Sequence, residues 1–239
     1  MKTIATVLFV LLCSFSGNRN AETVLHKMYA RYAGKWYHSF SFNQTTQQYR
    51  NDSLIRTATW YEYLVLPDKF RIDFGNPKEG NAVIYTRDSV YSFRKGKLAR
   101  TGVNDDDLTF LLGGMYFYPY DSVKARMNTL GYKLDKFHED MWKSHPVYVI
   151  GARDKNEKTN QLWIDKDKLV LLRFIKYNDG RKEEGIFSNH KRFGKGWSET
   201  ACDFYINDTL VQKEIYHDCI RDKVIDMKIF DPHNFILAR

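Results

Sequence analysis

Apolar and charged residues alternate in short segments along most of the chain. In the segment KFRIDF, Phe70, Ile72 and Phe74 alternate with Arg71 and Asp73. Successive side chains of a β-strand point to opposite faces, so this segment is predicted to be a strand with one apolar and one charged face. Further segments of this kind, joined by short turns rich in Gly, Pro, Asn or Asp, predict about a dozen strands.

Helical spacing interrupts the strands at two places. In residues 21–37, Val24, Leu25, Met28 and Tyr32 recur at helical spacing, and Gly34 can end the helix. Residues 104–134 lie between two blocks of predicted strands, and Gly113 with Gly114 divides them into two short helices. Strands and helices do not alternate, which argues against a parallel βαβ sheet. We predict a mainly β (α+β) fold, with one large curved antiparallel sheet and helices on one face.

The N-terminus has the order of residues that is typical of a secretory signal peptide, which we assign to residues 1–21. A basic Lys2 is followed by a mostly apolar stretch and then by small residues. The apolar stretch is too short to span a bilayer. Cleavage is expected after Ser16 or, alternatively, after Ala21. Lipid attachment at Cys13 is a further alternative, disfavoured by the bulky leucine before it. We therefore expect an exported protein.

Two cysteines follow the predicted signal peptide. In an oxidising compartment Cys202 and Cys219 could form a disulfide, and their spacing fits no zinc-binding pattern. A two-residue hairpin turn within residues 206–209 would place Cys202 opposite Lys213 instead. A disulfide would therefore require another strand register, and the sequence leaves both states open.

The net charge of +8 at pH 7 arises from 37 basic and 29 acidic residues in short, dispersed blocks. Dispersed charge of this size is typical of a solvated surface, and export also argues against nucleic acid as a partner. A basic rim could assist docking on an anionic membrane surface or partner.

The sequence contains no common catalytic motif. G-x-S-x-G, P-loop and G-x-G-x-x-G patterns are absent, and no histidine pair has zinc-protease spacing. His217, Asp218 and Cys219 are consecutive on a predicted strand, so their side chains cannot form one catalytic relay. We expect no catalytic site, no metal site and no cofactor. A hydrolase would require ionisable groups from distant segments to meet in one cleft, which remains open at this stage.

The strand KFRIDF lies inside a longer motif. A proline precedes it by two residues, a proline follows it, and an aromatic-Arg-apolar-acidic-aromatic series lies between them. This motif, in a chain ordered as helix, strands, central helices and strands, resembles the LolA/LolB-like superfamily of periplasmic lipoprotein carriers, the outer membrane lipoprotein-sorting proteins. The matching residues are Pro67, Phe70, Arg71, Ile72, Asp73, Phe74 and Pro77.

Three later segments are similar to the same family, so the resemblance covers nearly all of residues 22–239 as a single half-barrel domain. The first is a strand pair with a turn at Arg87-Asp88, and the last is the closing segment FDPHNF. Between them lies a strand pair around a Trp-Ile-Asp turn, matched by Trp163, Ile164, Asp165 and Leu171.

The resemblance implies an unclosed β-barrel whose apolar concave face is covered by helices. It implies a periplasmic, monomeric, non-enzymatic carrier that holds acyl chains of lipoproteins or lipids and exchanges them with inner- and outer-membrane partners, towards the outer membrane. A sensory or protein-binding module of the cell envelope is the alternative. The expected lipid-binding residues are Trp36, Phe40, Phe42, Phe70, Ile72 and Phe74 on the sheet, and Leu108, Leu111, Leu112 and Met115 on a helical lid.

Two of these expectations have a second interpretation. The aromatic residues could pack against the helices as a closed core. Arg71 points to the face opposite Phe70, where it is expected at the surface, paired with Asp73 or a neighbouring strand. In a functional role it would act as a gate that holds a lid by hydrogen bonds to backbone carbonyls.

Overall fold

The computed structural model of the protein describes residues 20–238. The predicted signal peptide, apart from Asn20 and Ala21, and the predicted attachment site Cys13 lie outside these residues. No helix within the described range is long and apolar enough to cross a bilayer.

Helix α1 and six strands form the first block. They are α1 (Ala21–Tyr32), β1 (Ser39–Arg50), β2 (Ser53–Val65), β3 (Lys69–Phe74), β4 (Ala82–Tyr85), β5 (Ser89–Arg94) and β6 (Lys97–Val103). A short central segment follows, with α2 (Leu108–Leu111), a 3₁₀ turn (Gly114–Phe117) and α3 (Tyr120–Thr129).

Nine strands form the second block. They are β7 (Phe137–Trp142), β8 (His145–Ile150), β9 (Gln161–Asp165), β10 (Leu171–Asn178), β11 (Arg181–Ser188), β12 (Lys191–Phe193), β13 (Gly196–Ser198), β14 (Ala201–Ile206) and β15 (Thr209–Arg221). Two more 3₁₀ helices lie outside the central segment: Pro77–Glu79 between β3 and β4, and Met227–Phe230 in the C-terminal segment.

Thirteen strands form one antiparallel sheet in the order β6-β5-β4-β3-β2-β1-β15-β14-β11-β10-β9-β8-β7, while β12 and β13 form a separate hairpin. The two blocks meet where β1 pairs with β15. Strands β6 and β7 are the two edges and do not pair, so the sheet is not closed into a barrel. The predicted mainly β fold with an unclosed sheet is confirmed.

The central segment connects the two edge strands. It leaves β6, forms α2 and α3 and returns to β7 at the far edge. It crosses one face of the sheet, which we call the inner face and define by Phe40, Phe42, Phe70 and Ile72. The main core lies between this face and the helices.

Helix α1 has a capped first turn and ends at Tyr32, two residues before Gly34. The side chain of Asn20 accepts a hydrogen bond from the backbone N–H of Thr23 at 2.8 Å, which caps the first turn. The residues at helical spacing, including Val24, Leu25 and Met28, are buried against the sheet and the central segment.

The opposite face, which we call the outer face, carries Arg71 and Asp73. The C-terminal segment, residues 222–238, lies against it: Phe235 stacks on Phe93 with ring centroids 4.3 Å apart. Arg71 is 0% exposed, so its predicted surface position is wrong. The C-terminal segment buries a face that alternation alone assigns to solvent.

Several elements differ from the sequence-based expectation. Strand β7 was not predicted, because FHEDMW has no clear apolar alternation. The apolar residues of DMKIF, at 226–230, suggest a further strand, but these residues form a 3₁₀ helix whose Ile229 and Phe230 are buried. His38 lies two positions before Phe40 but precedes β1 and is exposed.

The two cysteines are both free, which resolves the open disulfide question. Ile206 pairs with Thr209 as the predicted turn requires, but a bulge between Phe204 and Tyr205 shifts the register. Cys202 therefore lies opposite Glu214 and not opposite Lys213.

Candidate ligand-binding cavity

A cavity of about 300 Å³ lies between the inner face and α2. Its walls come from β1, β2 and β3 on one side, from β11, β14 and β15 on the other, and from α2 above. Most of the lining side chains are aromatic or aliphatic. Phe42 and Tyr216 stack with ring centroids 4.2 Å apart and join the two halves of the sheet inside the cavity.

Six of the predicted lipid-binding residues line this cavity. They are Phe40, Phe42, Phe70, Ile72, Leu108 and Leu112. The first four share the inner face because β1 and β3 both pair with β2 and alternate in phase. Leu108 is the first residue of α2 and Leu112 follows its last, and both cover the cavity from above. The predicted meeting of sheet and lid residues is therefore present in the structure.

Trp36 lies next to the cavity and does not line it. It precedes β1 and packs against Tyr32 and Tyr116, each with ring centroids 4.9 Å away. Leu111 and Met115 are buried in the same core, at 5% and 1% exposure. These three residues hold the central segment on the sheet.

Phe74 is the fourth predicted residue outside the cavity. It lies at the end of β3, where its ring packs edge-to-face with Trp60, with the ring centroids 4.9 Å apart. Trp60 itself lines the cavity, so Phe74 supports the wall from behind.

The glycine pair after α2 serves close packing. A Cβ at Gly113 would lie 2.4 Å from Nε1 of Trp36, and one at Gly114 would lie 2.9 Å from the carbonyl oxygen of Pro67. Neither space admits a side chain, since real Cβ contacts are longer. The pair fixes the lid segment against Trp36 and the β2–β3 turn.

Four carboxyl groups line this mostly apolar cavity: Glu62, Asp106, Glu199 and Glu214. Sequence reasoning missed them. The signal for Glu62 was its inward position in an apolar strand, because Trp60 and Leu64 share its face. On the neighbouring strands Glu62 is opposite Phe42 and Ile72. A charge-bearing residue thus lies in a row of apolar ones.

The four carboxyl groups differ in their partners. Glu214 accepts hydrogen bonds from Gln212 at 2.6 Å and from the Tyr216 hydroxyl at 3.1 Å. Asp106 accepts from the backbone and hydroxyl of Thr109, and so caps α2. Within residues 20–238 no hydrogen bond or ion pair reaches the Glu62 carboxylate.

Burial is the main cause of the pKa shifts of these four carboxyl groups. It raises the pKa of Glu62 well above its usual value, and neighbouring Glu214 and Glu199 raise it further. Burial also raises the pKa of Glu199 to about 7, and that of Glu214 and Asp106 above the usual range. Burial therefore favours the neutral form of Glu62 and leaves Glu199 partly protonated near neutral pH.

Arg71 does not line the cavity, because it lies on the outer face. Its guanidinium donates to the backbone oxygens of Ile229 at 2.7 Å and Ile236 at 2.8 Å. The expected pairing with Asp73 and the expected bonds to carbonyls are both present, but the carbonyls belong to the C-terminal segment. A gating role for Arg71 would have to act through that segment and stays a prediction.

No group of three or more His, Cys, Asp or Glu side chains in residues 20–238 has the geometry to hold a metal ion. The apolar walls of the cavity are suited to enclosing an apolar chain, and its four carboxyl groups offer a small acidic patch to the polar end of that chain.

Comparison with known proteins identifies the fold. No protein-family model matches the sequence, and no curated protein sequence matches it. Among solved structures, a LolA superfamily protein from Nitrosomonas europaea aligns with a TM-score of 0.57 at 13% identity, over 89% of this chain and 98% of that one.

Two further structures give similar alignments. A domain named for outer membrane lipoprotein sorting, from Vibrio parahaemolyticus, has a TM-score of 0.58 at 16% identity, over 89% and 97% of the two chains. A DUF1329 family protein from Desulfovibrio piger has a TM-score of 0.59 at 12% identity, over 88% and 95%. The chain has the fold of the LolA superfamily, as the sequence resemblance predicted. At these identities the likeness concerns the fold alone.

Proposed function

We propose that this protein is an exported, non-enzymatic carrier that holds an acyl chain of a lipid or lipoprotein in the cavity under α2. It would work in the periplasm and pass its client from an inner-membrane partner to an outer-membrane partner. The observation that carries the proposal is the cavity itself, with Phe42, Phe70 and Ile72 on its floor and Leu108 with Leu112 above.

The energetics of burial support an acyl chain as ligand. Each methylene group removed from water contributes about 0.8 kcal/mol, so ten of them contribute about 8 kcal/mol. The cavity volume of about 300 Å³ lies at the lower end of the range for ligand pockets. We therefore infer that it takes one chain in this conformation and that larger clients require α2 to move.

Helix α2 is suited to such a movement. It consists of the single turn Leu108–Leu111, and the cap from Asp106 fixes its start. Opening this short helix breaks few backbone hydrogen bonds, and its main cost is the separation of the buried Phe110 and Leu111 from the core. Leu108 and Leu112 are half-buried and would separate from the sheet as the chain enters.

Native mass spectrometry of the protein purified without detergent tests the proposal directly. We expect bound lipid, and binding of a fluorescent fatty acid that Ile72→Asn weakens at least about tenfold, because a polar group then replaces an apolar wall. The matched control is Ile220→Asn on β15, where the side chain is 49% exposed. Absence of lipid together with no uptake of the fluorescent fatty acid would rule out a carrier.

The cavity brings several carboxyl groups together, and an acid–base hydrolase also requires such a cluster. Such an enzyme needs one carboxyl group kept protonated and another kept ionised by different environments. Here burial raises the pKa of Glu62, Glu199 and Glu214 alike. This common direction favours binding over hydrolysis.

A further inference from the structure

Glu62 is the most unusual residue of the cavity. Its side chain is 6% exposed, lines the cavity and receives no hydrogen bond or ion pair from residues 20–238. A buried ionisable group without a partner is unfavourable when it is charged, because no counterion or hydrogen bond replaces its lost hydration. Such a group is expected where a ligand supplies the missing partner.

A second unpaired polar atom lies on the same face. Gln44 is 0% exposed, and its Oε1 receives no hydrogen bond. It lies between Trp60 on β2 and Tyr216 on β15, which both line the cavity. Like the carboxylate of Glu62, this oxygen can only accept hydrogen bonds.

The charges around the cavity have one sign. Glu62, Asp106, Glu199 and Glu214 line it, whereas none of its lining residues is Lys, Arg or His. The chain contains 37 Lys and Arg residues, so basic side chains were available elsewhere in the sequence. The lining thus combines apolar walls with acidic groups that have no basic partner among the lining residues. The chemical complement is an apolar chain that ends in a cationic hydrogen-bond donor.

We propose that the cavity binds an amphiphile with a protonated primary amine, whose alkyl chain lies among Phe42, Phe70 and Ile72 and whose ammonium group contacts Glu62 and Glu199. This inference rests on the proposed function, because the chain occupies the same cavity. It adds that the polar end is a cation with three N–H donors, a ligand class that an acyl-chain site alone does not select.

Binding of such a ligand is coupled to protons. The ammonium group favours the ionised form of the carboxyl groups, so binding releases protons and strengthens as the pH rises. The titratable groups that face Glu62 are Glu214 on β15, Glu199 before β14 and Asp106 before α2. Tyr85 on β4 and Tyr216 also line the cavity, and burial raises the pKa of both phenols, so neither is charged at neutral pH.

The test compares three probes of equal chain length by calorimetric titration: dodecylamine, dodecanol and dodecanoic acid. At pH about 8 we expect dodecylamine to bind at least about tenfold more tightly than dodecanol. We expect this preference to shrink at least about tenfold towards pH about 5, where protonation of Glu62 and Glu199 is favoured. The affinity for dodecanol should not depend on pH.

Two substitutions locate the ammonium group. Glu62→Gln and Glu199→Gln should each reduce dodecylamine affinity at least about tenfold, since a charge-assisted hydrogen bond is lost. Dodecanol binding should be retained, which shows that the variant is folded. Glu79→Gln, at an exposed position outside the cavity, is the matched control and should change neither affinity.

The outcomes separate this inference from the proposed function. Equal, pH-independent binding of dodecylamine and dodecanol, or tightest binding of dodecanoic acid, would overturn the inference and leave the carrier proposal standing. Binding of none of the three probes would overturn both.

Discussion

Arg71 and Asp73, two positions apart on β3, form an ion pair in which both side chains are 0% exposed. Two hydrogen bonds join them, from Nε at 2.9 Å and from the NH2 nitrogen at 2.8 Å. The Arg71 guanidinium also lies 4.7 Å from the centre of the Phe235 ring. The pair thus holds the C-terminal segment on the outer face, behind the strand that forms the cavity floor.

Asp73→Asn should lower the free energy of unfolding by about 3–5 kcal/mol, because the substitution leaves the Arg71 charge buried without its counterion. Urea unfolding followed by circular dichroism measures the change. The control is Asp68→Asn, which breaks the pair between half-buried Asp68 and exposed Arg87 and should cost less than about 1 kcal/mol. Equal effects of the two substitutions would contradict this account of Arg71.

The pH dependence of stability should reveal the buried Glu199. Its pKa is about 7 in the folded protein and lies near 4.5 when the chain is unfolded. Between these values the folded state keeps a proton that the unfolded state has lost, so the free energy of unfolding falls as the pH rises. We expect a fall of about 1–3 kcal/mol from this group between pH about 4.5 and 7.

The contribution of Glu199 is isolated by comparison with Glu199→Gln, which cannot titrate. The difference in unfolding free energy between the two proteins should change across this window and level off above it. The control variant Glu79→Gln should follow the wild-type curve. A difference that is constant from pH about 4 to 8 would show that Glu199 titrates normally.

Gly113→Ala should destabilise the protein by about 1–3 kcal/mol, because the new Cβ would collide with Trp36. Thermal unfolding measures this, and near-ultraviolet circular dichroism reports on the Trp36 environment. At Gly102 an added Cβ meets only Val90, at an ordinary 3.4 Å. Gly102→Ala should therefore change stability by less than about 0.5 kcal/mol. A Gly113→Ala protein as stable as that control would mean that the lid segment is not packed as described.

In protein that retains Asn20, Asn20→Ala should lower the free energy of unfolding by about 0.5–2 kcal/mol, because α1 loses the side-chain acceptor of its first turn. Asn20→Ser retains a capping oxygen and should lose much less. Urea unfolding at neutral pH distinguishes them. If both variants behave like the wild type, the first turn of α1 contributes little to stability.

Local features of the fold were predictable where the sequence pattern has a single physical interpretation. β3 was predicted with its observed bounds because apolar and charged residues alternate strictly from Phe70 to Phe74. The buried face of α1 followed from Val24, Leu25, Met28 and Tyr32 at helical spacing. In β3 only a period of two places the apolar residues on one face, and in α1 only the helical period does so.

Features that depend on distant contacts could not be predicted. Arg71 looked exposed because nothing in its strand shows that residues 222–238 return to cover it. Strand β7 is the sheet edge and pairs on one side with β8, so its mixed sequence carries little pattern. A single bulge after Phe204 moved Cys202 by one position relative to β15.

The candidate site was predicted in part. Its apolar lining followed from alternation and the family resemblance. Its acidic patch did not, because Glu62 and Glu214 come from opposite ends of the chain. They meet only through the pairing of β1 with β15, which has no local signature in the sequence.

The pairing of β1 with β15 also determines when folding of the sheet can be completed. Phe40 pairs with Arg221, so the sheet joins residues from near the start and near the end of the described chain. Each block of strands can form from segments that are close in sequence. The pairing of β1 with β15 instead closes a very long loop, the slowest kind of contact in folding. Until the last strand emerges from the ribosome or a translocation channel, β1 has an unpaired edge and the cavity has no second wall. A nascent or truncated chain that ends before β15 would hold an exposed strand prone to aggregation, and ligand uptake would be the last property the protein acquires.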